Sequence, residues 1–199
     1  MRQFRSQSGW IEVIAGGMFS GKSEELIRRL RRATIAKQKV VCFKPDIDTR
    51  YSGDIHSHSD ARFPSEMIPS QDVERMLQVP KEVQVVGIDE GQFFPRDVVQ
   101  VARTLASRGH RVIIATLDLD YRGHPFGPAP LLMAEAEDVV KLRAVCTVCG
   151  QDATRSQRIA DNREQVVVGA AAVYEARCWT HWSPEPLFSR QENILEMDG

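Results

Sequence analysis

The chain has 199 residues, a formal net charge of -1, a sequence pI of about 6.5 and 42% hydrophobic residues. That length holds one sizeable core with room for a small appended module. The balanced charge gives no case for a nucleic-acid partner, and no apolar run approaches the roughly 18 residues of a membrane span. Met1 to Gly9 lacks the apolar core of a secretory signal, and four cysteines without one argue against a disulfide framework. The expectation is a soluble, cytoplasmic α/β protein.

An apolar run from Trp10 ends in the spacing G-x-x-x-x-G-K-S, and the residues after it open with helical periodicity. Strand, glycine loop and helix in that order are what a phosphate-binding loop requires. Gly16, Gly17, Met18, Phe19, Ser20 and Gly21 would turn backbone N–H groups around phosphate oxygens. Lys22 would reach the outer phosphates and Ser23 the magnesium that travels with them. A chance glycine turn before a basic helix is the competing reading, and it does not account for the strand and helix falling in place. The ligand expected is a nucleoside triphosphate with Mg2+.

Lys39-Val40-Val41-Cys42-Phe43 reads as a short buried strand, with Cys42 a core residue rather than a nucleophile or ligand. Residues 46–65 show no period and read as a long functional loop. Arg50 in it is a candidate phosphate contact, whereas His56 and His58 have no third ligand nearby and read as solvated. Residues 71–77 suggest a short helix. Val83 to Ile88 reads as a second core strand ending at Asp89-Glu90, Pro95-Arg96 as a helix start, and Gly109 as its stop. Residues 111–116 form a third strand running into Leu117-Asp118. Alternating strands and helices imply a mostly parallel sheet covered on both faces. Its ligands bind beyond the carboxyl ends of the strands. Three such ends carry the glycine loop, Asp89-Glu90 and Leu117-Asp118.

Composition shifts near Arg143. Cys146-x-x-Cys149 and Cys178-x-x-His181 have the spacing of a closed structural zinc site, with an intervening segment longer than a simple ribbon needs. The organisation expected is residues 1–142 as the nucleotide-binding domain, 143–182 as a zinc domain and 183–199 as a poorly ordered tail.

Asp89 closes an apolar strand, the usual place for the carboxylate that holds magnesium. Adjacent strand residues point to opposite faces, so Glu90 is expected to face a different ligand from Asp89. A glutamate beside a triphosphate can activate water, as in a motor ATPase, or accept the proton of a substrate hydroxyl, as in a kinase. From spacing alone both stay open, the first as a RecA-like ATPase acting on nucleic acid.

Gly17-Met18-Phe19-Ser20-Gly21-Lys22-Ser23, Asp48-Thr49-Arg50-Tyr51-Ser52, Asp89-Glu90-Gly91-Gln92-Phe93-Phe94 and the CxxC…CxxH pair, in this order, resemble the thymidine kinases of bacteria and animal cytosol. The resemblance spans about Gly9 to His181. It implies a RecA-like P-loop domain plus a small zinc domain, generally assembled as a homotetramer. It implies transfer of the γ-phosphoryl of ATP to the 5′-hydroxyl of thymidine, and of deoxyuridine, with feedback by thymidine triphosphate (dTTP) and no nucleic-acid or membrane partner. By the same resemblance Glu90 is the general base, and Asp48, Arg50, Asp89 and Gln92 join the loop around ATP and Mg2+. Met18, Phe93, Leu117, Tyr121, Phe126, Ser156 and Tyr174 line the nucleoside pocket, with Met18 and Ser156 beside the thymine methyl. Gln165, Val166, Val167, Val168 and Gly169 form the loop that closes it. Taken singly, Phe93, Tyr121 and Phe126 would also be unremarkable as core. The pattern departs from the family at Gly17 (a frequent proline), Glu24 (threonine), Tyr121 (phenylalanine) and His181 (a fourth cysteine, which zinc tolerates).

Overall fold

The computed structural model describes residues 9–46, 54–56, 62–159 and 173–185. In chain order the elements are β1 (Trp10–Gly16), α1 (Lys22–Ile35), β2 (Val40–Pro45), β3 (Asp54–His56), β4 (Arg62–Pro64), β5 (Glu66–Ile68), a 3-10 turn (Val73–Gln78), and β6 (Val85–Ile88). A second 3-10 turn (Gly91–Phe93), α2 (Asp97–Ser107), β7 (Arg111–Thr116), α3 (Ala129–Glu135) and β8 (Asp138–Leu142) follow. The chain then continues through β9 (Ala144–Val145), β10 (Asp152–Ala153), β11 (Arg155–Arg158), β12 (Tyr174–Arg177) and a last 3-10 turn (Trp179–His181).

Six strands form a parallel sheet in the order β5-β2-β6-β7-β1-β8. This is the α/β, mostly parallel sheet flanked by helices that the alternating pattern predicts. Because successive strand residues face opposite ways, β7 divides its side chains between two cores. Ile113 and Ala115 join Leu26, Ile27 and Leu30 of α1 on one face. Val112 and Ile114 join Val98, Ala102 and Leu105 of α2 on the other. Burying both faces in this way makes the strands read as near-continuous apolar runs.

A buried carboxylate in β1 interrupts that apolar pattern. Glu12 of β1 faces α1 and is only 5% exposed. Its carboxylate accepts from Trp10 Nε1 (2.7 Å), Arg29 Nη1 (2.6 Å), Arg111 Nε (2.6 Å) and Arg111 Nη2 (3.0 Å). Burial alone pushes a carboxyl up, but here the hydrogen bonds from Arg111, Trp10 and Arg29 outweigh it and hold Glu12 below its ordinary value.

The structure amends several readings. Part of the stretch taken as one loop is built, since β3 and β4 pair antiparallel, and just beyond it β5 forms an edge of the main sheet. Strands of three residues are too short to show a period. Ile55 and Phe63 nonetheless pack into the α1-side core. The expected helix at 71–77 is the 3-10 turn. The strand expected from Val83 begins at Val85 because the N–H groups of Gln84 and Val85 both turn to Lys39 O. Both α3 and β8 lack a clear sequence signal, α3 because Pro128 and Pro130 sit around its start, β8 because Asp138, Val139 and Lys141 are all exposed and leave no regular apolar pattern. Cys42 is buried, its thiol pushed well up by burial and then by the charge of Asp89, as suits a core residue. Among the described residues no helix is long and apolar enough to cross a membrane.

Candidate active site

The glycine loop sits where the spacing puts it, between β1 and α1. Gly16 has φ 148°, and a Cβ there would stand 2.6 Å from Leu142 O. Gly21 caps α1 in a left-handed conformation at φ 83°. Lys22 Nζ and Ser20 Oγ both donate to Gly17 O, at 2.7 and 2.8 Å, which draws the lysine across the loop it belongs to. Glu24 is exposed.

Asp89 lies one residue beyond β6 and is 4% exposed. Ser23 Oγ donates to its Oδ1 at 3.3 Å, so the hydroxyl at the head of α1 and the strand-end carboxylate meet across the sheet. That pair, a hard oxygen from each of two elements, is the donor set suited to a magnesium ion kept partly hydrated. Lys44, which the sequence reading passed over, is also buried and stands at the end of β2 beside β6, one residue past the Phe43–Ile88 pairing.

Glu90 departs from the expected strand alternation. Its φ of 52° and ψ of 42° put it in the left-handed region, so a turn and not the pleat sets its direction. A non-glycine residue there costs energy and is worth a functional explanation. Gln92 Nε2 donates to Glu90 Oε2 at 2.5 Å. The same amide's Oε1 accepts from Leu117 N (2.8 Å) and Thr116 Oγ1 (3.2 Å) at the end of β7.

Phe93 and Phe126 meet edge to face with centroids 5.8 Å apart. Tyr121 and Tyr174 both lie against Arg158, whose guanidinium carbon is 4.0 Å from the first ring centroid and 4.9 Å from the second. Arg158 is fully buried and also donates to Tyr174 OH. Nothing in the spacing around Arg158 marks it. A polar strand, Arg-Ser-Gln-Arg, hides a residue that only the tertiary fold encloses. The Tyr121 hydroxyl accepts from Arg122 Nε at 2.9 Å. Ser156 Oγ accepts from Met18 N at 3.0 Å, so the two residues assigned to the thymine methyl are in contact. Asp48, Arg50, Gln165, Val166, Val167, Val168, Gly169 and His58 lie outside the described residues, as does the tail after residue 185.

Cys146, Cys149, Cys178 and His181 offer one ligand atom each, all within 4.8 Å of one another. The Sγ atoms of Cys149 and Cys178 are 3.8 Å apart, and His181 Nδ1 is 3.2 Å from Cys178 Sγ and 3.8 Å from Cys146 Sγ. A zinc tetrahedron with Zn–S bonds of about 2.3 Å has sulfur–sulfur edges of roughly 3.8 Å. The group therefore fits a metal such as zinc. Against the penalty of burial, backbone N–H groups of Cys178, Cys149 and Val148 bring the Cys146 thiol down to about 6, toward the thiolate a metal needs. The knuckle is closed by Cys146 N to Gln151 O (2.8 Å) and tied to β12 by Thr147 N to Ala176 O (3.1 Å).

The thymidine kinase family model matches residues 9–182. The chain is 53% identical over 179 residues to a thymidine kinase of Bdellovibrio bacteriovorus, covering 89% of this chain and 87% of that protein. This chain belongs to the thymidine kinase family. A thymidine kinase of Coprothermobacter proteolyticus is 49% identical over 183 residues, 88% of this chain and 91% of that protein. As a thymidine kinase the protein is a phosphotransferase acting on thymidine. The glycine loop, Asp89 and the end of β7 are linked by the Ser23–Asp89 and Gln92–Leu117 hydrogen bonds.

Proposed function

We propose that the enzyme transfers the γ-phosphoryl of ATP to the 5′-hydroxyl of thymidine, and of deoxyuridine, giving the monophosphate and ADP in cytoplasmic pyrimidine salvage. The observation that carries this reading is the Ser23–Asp89 contact at the glycine loop with Glu90 directly beside it. Glu90 takes the proton of the 5′-hydroxyl as that oxygen forms its bond to the γ-phosphorus and the bond to the β-phosphate oxygen breaks. Backbone N–H groups of the glycine loop and Lys22 hold the phosphates in line. Ser23 and Asp89 would hold Mg2+, which supplies charge neutralisation at the phosphates. Arg50 adds a phosphate contact, and Asp48 joins the groups around ATP and Mg2+.

Met18, Phe93, Leu117, Tyr121, Phe126, Ser156 and Tyr174 enclose the nucleoside, and residues 165–169 close over it with backbone groups. A backbone carbonyl placed for thymine N3–H meets a lone pair in cytosine, and each such buried mismatch costs about 1–3 kcal/mol. Zinc on the Cys3His group fixes both ends of the segment that carries this closing loop. Homotetramer assembly and feedback by dTTP are proposed on the family resemblance.

The test is phosphoryl transfer from ATP-Mg2+ to thymidine, deoxyuridine and deoxycytidine. The expected order of kcat/KM is thymidine, then deoxyuridine, then deoxycytidine about 10⁴-fold or more behind. Equal turnover of deoxycytidine and thymidine overturns the base-reading argument. ATP hydrolysis stimulated by DNA, without monophosphate formation, overturns the kinase reading.

A further inference from the structure

Gln92 engages Glu90 through an amide whose orientation is dictated from behind. Leu117 N–H can only donate, so the oxygen of the Gln92 amide must be the end that meets it. Thr116 Oγ1 donates to that same oxygen. With the carbonyl committed to the end of β7, the NH2 is turned to Glu90 Oε2. The side chain is 3% exposed, and the chain around it is clamped. A Cβ at Gly127 would lie 2.4 Å from Gln92 O, and one at Gly91 would lie 2.9 Å from Ile114 Cγ2. Phe93 N closes the turn onto Glu90 O at 3.0 Å.

We propose that Gln92 is a positioning residue for phosphoryl transfer, holding the Glu90 carboxylate in place from the end of β7. This rests on the reading of Glu90 as general base. One N–H of the amide is committed to Glu90 and its carbonyl to the end of β7, so the side chain is held from both sides. Glutamate is a long side chain on a residue already held at positive φ, and each fixed partner narrows the set of rotamers its carboxylate can occupy. A misplacement of about 1 Å at a reacting group can cost on the order of 10²-fold in rate. Gln92 transmits the rigidity of β7 to the one group whose direction the β6 pleat does not set.

The test uses the full chain with Gln92→Met, Gln92→Glu, Glu90→Gln and the double variant Glu90→Gln/Gln92→Met. The readouts are kcat, the KM values for ATP and thymidine, the Kd for ATP, and thermal stability. Gln92→Glu keeps an acceptor for Leu117 N–H while removing the amide donor, so it reports on Glu90 even if Gln92→Met does not fold. Both Gln92 variants should lower kcat about 10–100-fold, with KM and Kd for ATP within about threefold of wild type. In the Glu90→Gln background, Gln92→Met should cost less than about threefold more. A tenfold rise in the Kd for ATP with kcat retained would make Gln92 a nucleotide ligand and overturn the proposal, as would additive losses in the double variant. If Glu90→Gln lowers kcat while neither Gln92 variant does, the Gln92 role fails and the Glu90 reading stands. If Glu90→Gln itself leaves kcat within a few-fold, the base reading fails first.

Discussion

Met18 donates its backbone N–H to Ser156 Oγ at 3.0 Å, joining the glycine loop to the strand that leads out of the first half of the metal knuckle. A Cβ on Gly17 would also touch Ser156 Oγ, at 3.5 Å, so the two segments run in close contact for more than one residue. The phosphate end and the nucleoside end of the proposed pocket therefore share a hydrogen bond.

Ser156→Ala should remove that bond and leave the Met18 N–H without its partner. The expected loss is about 1 kcal/mol, or a fall in Tm of roughly 2–4 °C. The KM for thymidine should rise several-fold. Calorimetry and steady-state kinetics check it, and an unchanged Tm would show that the bond carries no stability.

On the proposed role, Glu90→Gln keeps size and much of the hydrogen bonding but removes the base. The kcat should fall on the order of 10²–10⁴-fold while thymidine still binds. Equilibrium binding beside rapid-quench turnover separates this from slow product release.

Freshly purified protein should contain one zinc per chain by elemental analysis. Cys149 is exposed, so Cys149→Ser deletes a ligand with little loss of packing. Zinc should be lost, with a lower Tm and weaker thymidine binding, because metal binding and local folding are coupled. Absence of zinc from unchelated protein would rule out the site as a structural centre.

The Glu12 cluster makes a prediction about acid stability. Its folded-state value lies below the ordinary 4.5, so its contribution is fully present above that value and is lost as pH falls through the lower one. Glu12→Gln should flatten this part of the profile. It should also cost about 3 kcal/mol at neutral pH, since it leaves Arg29 and Arg111 facing each other without the carboxylate between them. Urea unfolding of both proteins from about pH 7 to 3 measures it.

What could be read from the residues was whatever local spacing encodes. Gly16, Gly21, Lys22 and Ser23 announce themselves because a strand-loop-helix turn fixes their offsets, and the cysteine pairs do so because a metal fixes theirs. The apolar run of β7 was equally plain. The conformation of Glu90 was not, since a positive φ leaves no mark on residue type when the residue is not glycine. Arg158 and Glu12 were hidden for a related reason. Each is a charge whose burial depends on partners far away in the chain, Tyr121 and Tyr174 for one and Arg29 and Arg111 for the other. Gln92 was seen as a member of the site, but its partner at Leu117 belongs to the next strand.

The strand that feeds the glycine loop has both of its neighbours far downstream, with Trp10 pairing Arg111 on one side and Glu12 pairing Asp138 on the other. On the ribosome, β1 is therefore made early and waits. At roughly 5–20 residues per second the wait lasts several seconds, with an apolar strand lacking its partners throughout. Release of a chain that stops before Leu142 leaves the loop without the carbonyl against which Gly16 packs. On the role proposed for the glycine loop, nucleotide affinity is thus gained only after β7 and β8 are made, even though the loop residues emerge well before them.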